Sequence, residues 1–274
     1  MASTRPFPGA ARSPSPAAAP SGRGRALIAS CIALITVLAW AYLVHLNRHM
    51  GSSIEADTMM SKMGMVMNQR WGASDLFFTF AMWAVMMVGM MTPAALPVLL
   101  LFAGAHARRA ERGVAPAVLS FGLGYIAVWL GFSVCATAAQ WALHEGALLS
   151  STMATSSTPV AGAILIAAGA YQLTPLKSGC LTRCQSPLGF LMSNWRDGAS
   201  GAFLMGLRHG AYCLGCCWAL MGVLFVVGVM NLVWVAVITV FILVEKIGPS
   251  GARVARAGGA ILIALGVILV SRWV

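Results

Sequence analysis

Seven apolar runs, separated by short polar stretches, make up most of this chain: 26–46, 75–102, 115–141, 159–175, 203–229, 232–247 and 255–273. A helix needs about 20 apolar residues to cross a bilayer core. The pattern therefore predicts an all-α fold, a polytopic transmembrane bundle of about seven helices. The stretch from 202 to 247 is too long for one span, and Met230-Asn231 is the one plausible break in it, so it divides into two helices joined by a tight turn. Pro93 and Pro97 are expected to kink the second helix or end its regular hydrogen bonding. Thr174-Pro175 closes the fourth.

The polar stretches complete the layout. Residues 1–25 are rich in Pro, Ala, Ser and Gly, with Arg5, Arg12, Arg23 and Arg25, and read as a disordered basic tail. Residues 26–46 form the first transmembrane helix. Its basic flank and Ala39-x-Ala41 also resemble a signal peptide, but the apolar run continues to full spanning length. Residues 47–74 read as a Met-rich extracytoplasmic loop containing Met50, Met59, Met60, Met63, Met65 and Met67, with His45 just before it and His49 inside it. Residues 75–273 form a six-helix transmembrane domain, in which 176–201 is a basic connection.

Composition strengthens the membrane assignment. Only 9% of residues are charged and mean hydropathy is +0.82, against about 25% charged in ordinary globular chains. The net charge of +11 would suggest nucleic acid in a soluble protein. Here the basic residues flank apolar segments, so they speak for topology and not for a nucleic-acid partner. With seven spans and the N-terminus inside, 14 of the 18 Lys and Arg lie inside; Arg48, Lys62, Arg70 and Arg272 lie outside. That bias predicts an N-in, C-out protein of the cytoplasmic (inner) membrane, with the lipid bilayer as its first partner.

Candidate chemistry is concentrated between 169 and 221. Five of the seven cysteines fall there, Cys180 and Cys184 as C-x3-C and Cys213, Cys216 and Cys217 as C-x2-C-C. Both spacings put thiols on one helical face, and the topology puts both groups near the cytoplasmic side. Thiolates are soft ligands that suit Cu(I) and Zn, and paired cysteines two to four residues apart build tetrahedral sites. The expected cofactor is a metal ion, Cu(I) first and Zn second, in metal handling or delivery, with a metal donor or acceptor protein as a possible partner. His209 precedes Cys213 by one turn and is a candidate ligand. Two alternatives stand beside this one: a membrane thiol–disulfide redox protein, and a structural or assembly subunit of a membrane complex. Both cysteine groups lying on one side argues against a transmembrane electron carrier.

Met82, Met86 and Met90 form one helical stripe and Met87 and Met91 another. The thioether selects Cu(I) without deprotonation, which makes Met86 and Met90 candidates for a weaker site or access path, although methionine also fills gaps in helix packing. Cys31 and Cys135 stand alone. Glu245 and Lys246 end the sixth helix and are expected to snorkel to the interface. Lys177 and Arg208 serve topology, Asn231 serves the turn, and Gln172 is placed to orient a ligand. No phosphate-binding loop, zinc-protease motif or nucleophile elbow is present, so no catalytic residue is assigned and an ATP-driven pump is unsupported.

Three stretches carry a family resemblance: Trp83–Pro93 (WAVMMVGMMTP), Gly169–Pro187 (GAYQLTPLKSGCLTRCQSP) and Gly210–Met221 (GAYCLGCCWALM), followed by Val229-Met230-Asn231. Over roughly 75–273 the chain resembles the predicted metal-binding integral membrane proteins (domain of unknown function 2182). The resemblance implies a multi-helix membrane protein with a metal site at the cysteines.

Overall fold

A computed structural model describes residues 22–62, 71–109, 113–146, 155, 157–248 and 250–272. Among these residues the chain is helical without a β-strand. In order, the helices are α1 (Gly22–Lys62), α2 (Ala73–Arg108), α3 (Val114–Glu145), α4 (Thr158–Gln172), α5 (Pro175–Gln185), α6 (Pro187–Asn194), α7 (Gly198–Gly222), α8 (Leu224–Val227), α9 (Leu232–Ile247) and α10 (Gly251–Ser271).

All seven apolar runs are helical, but fewer than seven have membrane-crossing length. Five segments meet both length and apolarity: Gly22–His49, Ala73–Arg108, Val114–Glu145, Gly198–Val227 and Gly251–Ser271. Counting α4 and α5 as one span, bent by 61°, makes six. The difference from seven arises at α4 and α9, which have 15 and 16 residues. Thr174-Pro175 stops α4, because proline cannot donate the next backbone hydrogen bond. Gly228, at φ 92°, ends the apolar run before α9, and Asn231 sits at the start of α9 with its N–H on the Gly228 carbonyl. The turn predicted at Met230-Asn231 is therefore present.

Other boundaries moved. Helix α1 continues to Lys62, so 47–62 is helical where the sequence suggested loop. Glu55, Ala56, Met59, Met60 and Lys62 are compatible with helix, and a helix can outrun the bilayer that its apolar part spans. Met63, Met65 and Met67, like the basic tail to residue 21, lie outside the described residues. Helix α2 passes through both Pro93 and Pro97 without a break. The 176–201 connection folds into α5 and α6. Pro175 and Pro187 each stand in the first turn, where their missing N–H costs nothing, and the Thr174 hydroxyl accepts from the Lys177 N–H at 3.3 Å.

Glycines set the closest packing. Helices α3 and α7 touch backbone to backbone: a Cβ on Gly206 would overlap the Phe121 carbonyl, and one on Gly124 the Phe203 carbonyl. Helices α4 and α10 meet through two facing pairs, Gly162 with Gly266 and Gly169 with Gly259; in each, a Cβ would sit 2.6–2.9 Å from the opposite carbonyl oxygen. Small residues in register allow this approach in membranes, where lipid is as apolar as leucine. The core between α2, α3 and α7 is filled by Trp83, Met86, Met87, Met90, Met91, Phe121, Trp129, Met205 and Met221, all essentially inaccessible.

Candidate metal centre

Helix α7 directs its cysteine face inward. The i, i+3, i+4 spacing keeps Cys213, Cys216 and Cys217 on one side, and all three are buried. Helix α5 lies alongside and brings up the first cysteine pair. The Cys184 thiol is in interaction range of the Cys213 and Cys216 thiols, and the Cys217 thiol is in range of the same two. Four sulfurs from two separate stretches thus converge. Cys180 lies at the rim: its sulfur would stand 2.8 Å from a Cβ placed on Gly215, so the absent side chain at 215 is what admits it.

The sulfurs converge without forming a closed shell. Among the described residues, no group of three or more His, Cys, Asp or Glu side chains is arranged to hold an ion as it stands. The thiols of Cys216 and Cys217 instead donate to the Cys213 carbonyl at 3.1 and 2.9 Å. The Cys213 sulfur lies 3.0 Å from the Tyr125 hydroxyl and accepts from the Lys246 ammonium at 2.7 Å. All seven cysteines are free thiols.

His209, one turn before Cys213, is buried among Phe121, Tyr125 and Phe190, with ring centroids 6.1, 5.9 and 5.1 Å away. Its Nδ1 has no hydrogen-bond partner among the described residues. A buried polar atom without a partner is costly and calls for a reason.

Met86 and Met90 are buried in the core on α2. They share one buried cluster with Cys213, Cys216 and Cys217. A hydrogen bond links α2 to the cluster's neighbour Tyr125: the Met91 carbonyl accepts from the Tyr125 hydroxyl at 2.9 Å. Tyr125 thus has one proton and two acceptors within reach, a backbone carbonyl and the Cys213 sulfur.

The charged residues behave differently from the expectation. Glu245 and Lys246 do not snorkel; they are 1% and 8% exposed. Lys177 does more than set topology: at 1% exposure it donates to both Glu245 carboxylate oxygens, at 2.9 and 2.8 Å. Gln172 bridges that pair, donating to Glu245 at 3.3 Å and accepting from the Lys177 ammonium, so it positions charges and not a metal ligand directly. Gln185 donates to the Glu245 carbonyl at 2.7 Å. The cause is α5, which folds across the end of α9 and closes it from solvent. Sequence reasoning placed these charges at a helix end and missed the lid. The available signal was that an ionisable residue in a membrane run is a functional position by default. Tyr125 and Gln140 were missed too; Gln140 accepts from the Trp83 indole N–H at 2.6 Å.

A helical bundle with at least five membrane-length helices, built round buried thiols and a buried lysine, has the architecture of a polytopic membrane protein. Residues 80–269 match the PpoB2 family of copper chaperones, and the chain belongs to that family. Its work is accordingly copper handling. No curated protein and no solved structure matches the chain.

Proposed function

We propose that this protein is a membrane copper chaperone that takes up Cu(I) on Cys184, Cys213, Cys216 and Cys217 and passes it to an acceptor protein. The observation that carries the proposal is the meeting of Cys184, from α5, with the α7 thiols. Cu(I) prefers few, soft ligands, and these four sulfurs offer several two- and three-sulfur combinations. Cys180, at the rim, is the ligand through which the ion would arrive or leave. His209, whose Nδ1 lacks a hydrogen-bond partner among the described residues, would be an additional ligand in the tautomer that leaves that nitrogen's lone pair free. Met86 and Met90 would form a weaker path along α2.

An unclosed site suits transfer. Binding requires Cys216 and Cys217 to turn from the Cys213 carbonyl toward a common point, at a cost of about 1 kcal/mol for each weak hydrogen bond given up. A rigid closed shell would hold the ion and oppose its release. On this reading the thiol end faces the cytoplasm, as the sequence layout anticipates, where thiols stay reduced.

The test is copper content. The detergent-purified protein, loaded with Cu(I) under reductant and desalted, should retain stoichiometric copper, and the Cys213→Ser/Cys216→Ser variant should retain little. Equal, near-zero copper in both would refute the proposal.

A further inference from the structure

Lys246 stands out among the buried charges. Lys177 and Glu245 neutralise each other. Lys246, 8% exposed, has no carboxylate within ion-pair distance among the described residues; its hydrogen-bond partner is the Cys213 sulfur, at 2.7 Å. Its other close electrostatic neighbours are Cys216, Cys217 and Tyr125. A lysine is almost never buried unless paired, and an unpaired cation in a low-dielectric interior is heavily penalised. A membrane protein that keeps such a side chain against its thiols has placed a cation where thiolate charge would develop.

We infer that Lys246 is the resident counter-ion of the loaded site, a positioning and specificity-determining residue that matches it to Cu(I) held by two thiolates. This rests on the proposed thiol site. The charge arithmetic follows from the ligands. Cu(I) with two thiolates carries −1, which one ammonium cancels. Three thiolates leave −2 around Cu(I), and four leave −2 around Zn(II); in both, one ammonium falls short. On loading, two cysteines bind Cu(I) as thiolates, whatever thiol protons they still carry leave to solvent, and the ammonium lies beside the resulting −1 centre. No electron is transferred. Cys213, already in contact with Lys246, supplies one thiolate. Tyr125 helps on the same sulfur, because its hydroxyl proton can turn from the Met91 carbonyl to the sulfur that no longer carries one.

The variant that tests this is Lys246→Met, close in shape and without charge. Removing a buried cation should not unfold the apo protein, since apolar replacement of buried charges is often neutral or stabilising. Cu(I) affinity is measured by competition with a chromophoric Cu(I) chelator, Zn(II) affinity with a zinc indicator, and sulfur coordination number by X-ray absorption. In the wild type the expected result is two-sulfur Cu(I). In Lys246→Met, Cu(I) affinity should fall about 100-fold, the scale of stranding a buried charge, while Zn(II) affinity falls less; Lys246→Arg should restore much of the loss. Cys-dependent copper binding with Lys246→Met within about threefold of wild type would overturn the counter-ion role alone. So would a three- or four-sulfur copper centre in the wild type. Copper binding unaffected by Cys213→Ser/Cys216→Ser would remove the thiol site and this inference together. Should Lys246→Met fail to fold, the wild-type coordination number and Lys246→Arg still decide.

Discussion

Glu245→Gln should destabilise the protein sharply, and the structure gives the magnitude. The substitution keeps the shape of the side chain and removes its charge. Lys177 then loses its counter-charge and one of the two acceptor oxygens, 2.8 and 2.9 Å away, in a place where neither side chain is more than 1% exposed. Water cannot take over. Removing one partner of a buried pair costs about 3–5 kcal/mol, because the remaining ion is stranded. For a chain of this size that corresponds to a fall in Tm of roughly 6–20 °C, readable by thermal unfolding in detergent. The double variant Lys177→Met/Glu245→Leu removes both charges, and the same reasoning predicts stability much nearer wild type. Two results would refute it: Glu245→Gln within about 1 kcal/mol of wild type, or a double variant as unstable as the single one.

Other expectations are as specific. Gly206→Ala should cost about 1–3 kcal/mol by overpacking against the Phe121 carbonyl, while Gly131→Ala, with nothing within 4 Å of its new Cβ, should be neutral or slightly stabilising; unfolding in detergent compares the two. Gln140→Leu strands the buried Trp83 indole N–H and should lose about 1–3 kcal/mol in the same assay. In the native apo protein a water-soluble maleimide should label Cys180 at the rim and spare Cys213, Cys216 and Cys217, which are 1–2% exposed; labelling all four at one rate, by mass spectrometry, would contradict the burial. Cys135→Ser, at an exposed position on α3, should leave copper stoichiometry unchanged.

What was legible in the sequence follows from range. Apolar runs report on a solvent, the bilayer, so every helix among the seven runs could be read directly. The C-x2-C-C face of α7 is likewise a local property, set by 3.6 residues per turn. Charge placement is different. Glu245 and Lys246 sit at the end of their helix, where a lysine stem normally reaches water. Only the path of α5, which begins at Pro175 and crosses that end, turns them into core residues. No periodicity in 232–247 records that crossing. The span count comes out at five or six where the runs suggest about seven, because α4 and α9 have only 15 and 16 residues, although α9 keeps an exposed apolar face of Val233, Val237, Val240 and Val244. Met86 and Met90 illustrate the same limit. Their stripe is visible in sequence, but a buried methionine stripe is drawn equally well by packing.

The order in which the parts of the thiol site leave the ribosome has a consequence of its own. Cys184 and the three cysteines of α7 are made first. Lys246 follows Cys213 by 33 residues, and Glu245 follows Lys177 by 68. Until α9 is inserted, Lys177 has no carboxylate, the end of α5 has no carbonyl for Gln185 to grip, and the sulfurs face no cation. A chain arrested during synthesis before residue 245 therefore displays loose thiols and a lone lysine. The last helices bring the carboxylate and the cation to these groups, so the burial and charge pairing of the thiol cluster are completed late, as the bundle closes.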